Sequence, residues 1–198
     1  MSTYRLFIAI NLPPELLVTL QTAQRRLQRQ LAAFPLRWSR PEGIHLTLKF
    51  LGETETTRID AITEALARVA ARHTAFELPV GGLGMFPNAR RPHVLWVGVE
   101  DEARRLQKLA RDVDRAMAQL GWPREKRPFN GHLTLARVKK QAEGRARREL
   151  GELVLNLRGY EKLGILPVHT IYLMRSHLHP DGAIYTELHR IALGNPNA

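Results

Sequence analysis

The chain contains no cysteine among its 198 residues. Disulfide bonds, a thiol nucleophile and zinc sites with thiolate ligands are therefore excluded. No apolar run is long enough to span a bilayer, and the first residues, MSTYRLFIAINLPPEL, lack the basic start and apolar centre of a signal peptide. No linker or low-complexity segment divides the chain. We expect a cytoplasmic protein without membrane contact, folded as a single compact unit of two lobes over residues 1–198.

Acidic residues are the minority among the charged ones. The 30 Lys and Arg residues outnumber 19 Asp and Glu, which gives a formal net charge of +11 at pH 7. An excess of this size favours polyanionic partners, with nucleic acid as the first candidate and an anionic membrane surface as the second. Charge that only keeps a basic protein soluble is the alternative, and composition does not decide between them.

The spacing of apolar residues predicts more strands than a parallel sheet with crossover helices would need. Helices are expected over about 13–33, 55–73, 101–120 and 142–157. Strands are expected over 4–12, 44–51, 76–86, 93–100, 132–138, 169–178 and 183–193, with a turn at 179–182 before the last one. The first strand alternates and is expected to be half-buried, with Phe7 on its polar-lined face. This order predicts an α+β fold with antiparallel sheets.

The most informative feature is a tetrapeptide, His-Leu-Thr-Leu, that occurs at residues 45–48 and again at 132–135. Side chains two apart in a strand share a face, so each copy presents one imidazole beside one hydroxyl and points its leucines into the core. By the same alternation Ile44 and Phe50 are expected in the core. A lone histidine of this kind is usually structural, and two core strands that coincide by chance are the alternative.

The matched second copy favours a shared site. Histidine titrates closest to neutral pH, so two imidazoles across a cleft can act as base and acid in one reaction. The hydroxyls of Thr47 and Thr134 can donate hydrogen bonds to a bound oxyanion. Together with a basic surface, these groups predict phosphodiester chemistry without a metal.

The two motifs and their surroundings resemble a known family. The chain looks like the RNA 2′,3′-cyclic phosphodiesterases of the 2H phosphoesterase superfamily, the bacterial 2′-5′ RNA ligase-like or LigT-like group, which is defined by two His-x-Thr-x motifs. The resemblance extends over RLFIAINLP, RWSRPEGIHLTLKFLGE, GLGMFP, HLTLAR and RSHLHPDGAIYTEL. It implies two lobes of antiparallel sheet with outer helices, related by a pseudo-twofold axis, with the motifs facing across a central cleft.

The resemblance also implies a reaction and roles within it. RNA 2′,3′-cyclic phosphate ends are hydrolysed to 2′-phosphomonoesters without a metal or cofactor, with reversible 2′-5′ ligation as a side activity. His45 is then the proton donor and His132 the proton acceptor, while Thr47 and Thr134 hold the non-bridging oxygens. The expected partner is RNA with such an end, tRNA-derived fragments being one candidate, and the expected enzyme is a monomer.

Five further residues are candidates for contacts with the substrate. Arg137 ends the HLTLAR segment and is a candidate phosphate ligand, but a regular strand turns it away from His132, so a bend is required. Lys49 shares the face of His45. We expect its side chain to be solvated, with a contact to the phosphate as the alternative. Phe7, Trp38 and Tyr185 are candidates for stacking on a base, with packing as the alternative for each.

Two other functions compete with the cyclic phosphodiesterase. One is an RNA-binding module that keeps a phosphate pocket without turnover, against which the intact His and Thr of both motifs argue. The other is an esterase for small cyclic nucleotides or ADP-ribose cyclic phosphate, which does not need the charge of +11. His177 and His179 have the spacing of a metal pair in a strand, but the sequence offers no third ligand and a place beside a surface turn is the simpler interpretation.

Overall fold

A computed structural model describes residues 2–142, 144–179 and 183–194 of the chain. The helices are α1 (Pro14–Gln30), α2 (Ile59–Ala70), α3 (Arg105–Gln119) and α4 (Gly144–Asn156). The strands are β1 (Thr3–Asn11), β2 (Leu36–Trp38), β3 (His45–Glu55), β4 (Phe76–Phe86), β5 (Val94–Val99), β6 (His132–Val138), β7 (Gly164–Val168), β8 (Thr170–His177) and β9 (Ile184–Ala192). Each predicted helix and strand is present. The strands expected over 76–86 and 132–138 have those bounds and the other elements have shifted ends, while β2 and β7 were not expected. The turn predicted at 179–182 falls largely on Pro180, Asp181 and Gly182, which lie outside the described residues.

The strands form one antiparallel sheet in the order β7-β4-β5-β6-β3-β1-β8-β9. Its two halves meet at β3 and β6, the two strands that begin with the repeated motif, and there the register joins only Leu46 to Leu133. Past that pair β3 and β6 separate, and the short strand β2 pairs with the far end of β6 through Leu36, Arg37 and Trp38. The predicted α+β fold is confirmed, with its two antiparallel lobes joined into one curved sheet.

The main core lies between the sheet and its helices. The motif leucines Leu46, Leu133 and Leu135 are fully buried there, and Leu48 nearly so. Alternation along the two motif strands therefore places the leucines on the helix-covered face and leaves the His and Thr side chains on the opposite face. Burial of each leucine contributes on the order of 2 kcal/mol, which holds the register of the motif.

The first strand is more buried than its alternation predicted. Leu6, Ile8 and Ile10 belong to the main core, but Phe7 and Ala9 are also buried, in a small second cluster with Met174. The prediction of a half-buried strand is therefore wrong for β1. The reason is its central position, because β3 and β8 flank it and their side chains cover its second face.

In the part of the chain that the structure describes, none of the helices is long and apolar enough to cross a bilayer.

Candidate active site

Each motif strand contains a β-bulge at the residue after its threonine. In β3, Thr47 lies opposite Ala9 and Lys49 opposite Ile8, so Leu48 is the extra residue. In β6, Thr134 pairs with Trp96 and Ala136 with Leu95, so Leu135 is the extra residue. A bulge inserts one residue and re-aims the side chains that follow it. The two bulges occupy equivalent positions in the two halves of the sheet.

The bulges decide which side chains face the cavity and which face the core. After Leu135, Ala136 is buried and Arg137 turns back to the side of His132 and Thr134, which supplies the bend that the sequence analysis required. After Leu48, Lys49 turns to the core and Phe50 to the cavity. Phe50 and Arg137 are therefore equivalent residues of the two halves.

Two predictions about β3 are wrong for this reason. Lys49 is neither solvated nor near the site, because it is 9% exposed and its Nζ donates to Asp114 Oδ1 at 2.6 Å and to the carbonyl of Pro123 at 2.9 Å. Phe50 is not in the core, because it is 68% exposed. Both predictions assumed a regular strand, and both residues lie after the bulge.

The two imidazoles are held in matching ways. His132 Nδ1–H donates to the carbonyl of Asn130 at 2.8 Å, and His45 makes a hydrogen bond with the backbone of Gly43. In each case the partner lies two residues before the histidine. Because a carbonyl only accepts, the bond fixes the neutral His132 tautomer with the lone pair on Nε2. Such a nitrogen is suited to accept a proton from a bound molecule.

Aromatic rings enclose both imidazoles. Phe7 stacks on His45 with 4.6 Å between ring centroids, and Tyr185 stands edge-on to it at 4.9 Å. On the other half, Phe86 stands edge-on to His132 at 4.8 Å and Trp96 lies at 6.2 Å. The rings remove water from one side of each imidazole and restrict its rotation.

This enclosure lowers both histidine pKa values. Burial is the main cause of the lowering of the His45 pKa to about 4, opposed by the hydrogen bond with Gly43 and assisted by His132. The pKa of His132 is also lowered, first by burial and then by the charge of Arg137, against the opposing bond with Asn130. Both imidazoles are therefore neutral at pH 7 when no anion is bound.

The predicted site residues converge on one cavity of about 480 Å³ between the two halves of the sheet. Its lining includes eight of the nine residues named from the sequence for catalysis or substrate contact, all except Lys49: His45, His132, Thr47, Thr134, Arg137, Phe7, Trp38 and Tyr185. Three further arginines line it, Arg5, Arg37 and Arg40, as does Phe50. Sequence reasoning missed these four, although Arg37 and Arg40 lie in the segment RWSRPEG directly before the first motif. The cavity thus combines two neutral bases, two hydroxyls and guanidinium groups suited to a phosphate.

Within residues 2–142, 144–179 and 183–194, no three His, Cys, Asp or Glu side chains are grouped to hold a metal ion. His177 ends β8, and its partner in the proposed spacing, His179, follows the strand. Neither lines the cavity.

The sequence profile of the LigT-like phosphoesterases matches residues 10–96 and, a second time, residues 97–185. The chain belongs to the LigT-like phosphoesterase family. Each of the two matched segments contains one copy of the motif and the bulge that follows its threonine, so the family match repeats along the sequence as the motif strand repeats in the sheet. The family predicted from the motifs is confirmed, and with it the prediction that the chain is an enzyme.

Relatives and solved structures agree with this assignment. The chain is 34% identical over 159 residues to an RNA 2′,3′-cyclic phosphodiesterase of Aquifex aeolicus, covering 80% of this chain and 82% of that protein. It is 33% identical over 184 residues to one of Methanothermobacter thermautotrophicus, covering 93% and 96%. The crystal structure of Escherichia coli LigT complexed with 3′-AMP superposes with a TM-score of 0.76 at 25% identity, covering 97% of this chain and 99% of that one. Kluyveromyces marxianus Usb1, at 14% identity and a TM-score of 0.57, shares the fold.

Proposed function

We propose that this phosphoesterase hydrolyses RNA 2′,3′-cyclic phosphate ends to 2′-phosphomonoesters, using His45 and His132 and no metal. The observation that carries the proposal is that two neutral imidazoles lie in one cavity lined by arginines. Each imidazole is accompanied there by the threonine two residues after it in the sequence. The names of the Aquifex and Methanothermobacter relatives support this substrate.

In the proposed reaction His132 is the general base. Its Nε2 lone pair accepts a proton from a water molecule, whose oxygen attacks phosphorus in line with the 3′ oxygen. The bond between phosphorus and the 3′ oxygen breaks, and His45 donates a proton to that oxygen. The phosphate stays on the 2′ oxygen, and the two imidazoles return to their first states by proton exchange with water.

The low pKa of His45 gives the substrate a second role. A general acid must carry a proton, yet His45 is almost entirely neutral at pH 7 when the cavity is free. A phosphate anion within a few ångströms of an imidazole favours its protonated form. The substrate therefore raises the pKa of the group that will protonate its own leaving oxygen.

The remaining side chains bind and orient the phosphate and the base. The hydroxyls of Thr47 and Thr134 donate to the non-bridging oxygens, whose charge grows in the transition state, and Arg137 balances that charge. Tyr185 and Trp38 offer ring surface for a nucleobase. Phe7 is 1% exposed and packs against His45 and Tyr185, so we assign it a positioning role.

Ligation is part of the same proposal. A 5′ hydroxyl takes the place of water: His132 accepts its proton, its oxygen attacks phosphorus, and the 3′ oxygen leaves with a proton from His45. This joins two RNA ends through a 2′-5′ bond. In the reverse reaction, which cleaves that bond, the two histidines exchange roles. The monomeric state and the tRNA-derived fragments stay predictions.

The deciding experiment uses an oligoribonucleotide that ends in a 2′,3′-cyclic phosphate, with EDTA present, and maps the phosphate in the product. We expect turnover in EDTA, a 2′-phosphate, and a loss of about 10²–10⁴-fold in kcat for each of His45→Ala and His132→Ala. His169→Ala is the control, because His169 is exposed and does not line the cavity. Inhibition by EDTA, or wild-type turnover in either motif variant, contradicts the proposal.

A further inference from the structure

Two exposed basic segments lie side by side at one end of the cavity. Arg90 and Arg91 belong to the loop between β4 and β5, while Lys139 and Lys140 follow β6 directly. All four side chains are exposed. We refer to these four residues as the basic ribbon.

The ribbon continues the part of the sheet that lines the cavity. Arg137 and Arg37 are directly opposite each other on β6 and β2, and both line the cavity. The pairing extends beyond the strands, because Lys139 N–H donates to the carbonyl of Pro35 at 2.8 Å. Residues two apart on an extended chain share a face, so Lys139 follows Arg137 on the same side at a distance of roughly 7 Å.

Arg147 of α4 holds the two basic segments together. Its guanidinium donates to the carbonyl of Pro92 at 2.7 Å, on the loop side, and to the carbonyl of Lys139 at 3.2 Å, on the β6 side. The loop itself is ordered by Asn88, whose side-chain oxygen accepts from the backbone N–H of Arg90 and of Arg91. Through these bonds to backbone carbonyls, Arg147 keeps the two segments that carry the four cations next to each other.

The charges of the ribbon are not balanced by acidic groups. Among the described residues no ion pair involves Arg90, Arg91, Lys139 or Lys140, whereas neighbouring Arg145 is paired with Glu149 at 2.8 Å. At the inner end, Arg37 faces Arg137 across the strand pair, and like charges in that arrangement repel. An anion bound between or beside these groups relieves the repulsion. Several cations close together beyond Arg137 fit a chain of phosphates better than a single phosphate.

We propose that the basic ribbon binds the body of a single-stranded RNA whose cyclic phosphate end lies in the cavity. The inference rests on the proposed function, which puts the terminal phosphate between the two histidines. Arg37 and Arg137 then lie nearest the end of the RNA, and Lys139, Lys140, Arg90 and Arg91 contact phosphates further from it. The preferred substrate is an oligonucleotide of several residues, and a cyclic mononucleotide uses the cavity alone.

The test compares two variants that lose the same charge. The ribbon variant is Arg90→Gln, Arg91→Gln, Lys139→Gln and Lys140→Gln combined. The control variant is Arg68→Gln, Arg72→Gln, Lys108→Gln and Arg111→Gln combined, four exposed cations on or beside α2 and α3, the helices of the opposite face. Each protein is assayed with a ten-residue oligoribonucleotide ending in a 2′,3′-cyclic phosphate and with a 2′,3′-cyclic mononucleotide, at several salt concentrations.

We expect the ribbon variant to lose at least about tenfold in kcat/KM on the oligonucleotide, with the slope of log kcat/KM against log salt reduced by about 2–3. Its kcat/KM on the mononucleotide, and both values of the control variant, should stay within about twofold of wild type. An unchanged ratio of oligonucleotide to mononucleotide activity in the ribbon variant overturns the proposal, and so does an equal loss in the control variant.

Two more measurements separate this proposal from others. If the wild type turns over neither substrate, the proposed function fails, but fluorescence anisotropy with the same oligonucleotide still decides whether the ribbon binds RNA. Vesicles of phosphatidylcholine and phosphatidylserine test whether the ribbon instead binds an anionic membrane surface. Loss of vesicle binding in the ribbon variant with unchanged RNA affinity shows that the surface serves a membrane and overturns the proposal.

Discussion

Removing the ring of Tyr185 should move the pH dependence of the reaction to higher pH. This ring stands edge-on to His45 and packs against Gly43, whose backbone holds the same imidazole. Burial is the main cause of the low His45 pKa, so a variant that admits water beside the ring should raise that pKa toward 6.5. Tyr185→Ala is such a variant.

The size of the shift follows from the two pKa values. The profile of kcat/KM against pH is a bell whose maximum lies midway between the pKa values of the acid and the base in the free enzyme. With His45 at about 4 and His132 below its ordinary 6.5, the wild-type maximum is expected below roughly pH 5.3. Full recovery of the His45 pKa, by about 2.5 units, moves the maximum up by half that amount, so by at most about 1.2 pH units.

The assay is the initial rate on a 2′,3′-cyclic mononucleotide between pH 4 and 8, corrected for the uncatalysed reaction. Phe50→Ala is the matched control, because Phe50 also lines the cavity and packs on Phe7 at 6.0 Å but makes no ring contact with His45. The maximum of kcat should lie at higher pH than that of kcat/KM, because the bound phosphate raises the pKa of both imidazoles. A wild-type kcat/KM maximum at pH 7 or above, or an equal shift in Phe50→Ala, would refute the reasoning.

Three more predictions concern the site and its supports. Thr47→Val and Thr134→Val keep the branched shape and remove the hydroxyl donor, so each should lower kcat by about 10–10³-fold with a smaller change in KM. Normal kcat in both variants would show that these threonines only favour a strand. His45 is protonated near pH 6.5 in the unfolded chain and near pH 4 in the folded one, so protons stabilise the unfolded state as the pH falls. Between pH 7.5 and 5 the free energy of unfolding, measured in urea, should therefore fall by roughly 2 kcal/mol more in wild type than in His45→Gln. Equal falls in the two proteins would contradict the low pKa. A Cβ at Gly84 would overlap the indole of Trp96, which borders His132, so Gly84→Ala should lower both kcat and stability. Adding Trp96→Phe should restore part of both, and no recovery in the double variant would count against this packing.

The sequence allowed most of the regular structure to be predicted, because amphipathic periodicity is strong in those segments. The strand β2 was missed because three residues are too few to show alternation. The strand β7, Gly164–Val168, was missed because it contains Pro167 and begins at a glycine with positive φ, both of which indicate a turn when read locally. Its pairing with β4 is a tertiary contact that a local pattern does not reveal.

The motif residues could be predicted and their neighbours could not, for one physical reason. Period-two alternation predicted the faces of His45 and Thr47 correctly, since both precede the bulge in β3. Beyond Leu48 the parity is reversed, so Lys49 and Phe50 exchanged the environments expected for them. A bulge is set by packing between strands and has no reliable signature in a single sequence. The same uncertainty left Arg137 undecided until the second bulge was seen.

The equivalence of Phe50 and Arg137 bears on the direction in which the substrate enters. Two similar half-sites offer an asymmetric molecule two opposed orientations, and only a difference between the halves makes them unequal in energy. Here one half ends in the exposed phenyl ring of Phe50 and the other in the guanidinium of Arg137. Under the proposed function, the ring suits a nucleobase and the guanidinium suits the phosphate charge, so one orientation is favoured over the other. In the proposed reaction the favoured orientation sets the 3′ oxygen beside His45 and the attacking water beside His132, so these two flanking side chains help to decide which imidazole donates the proton.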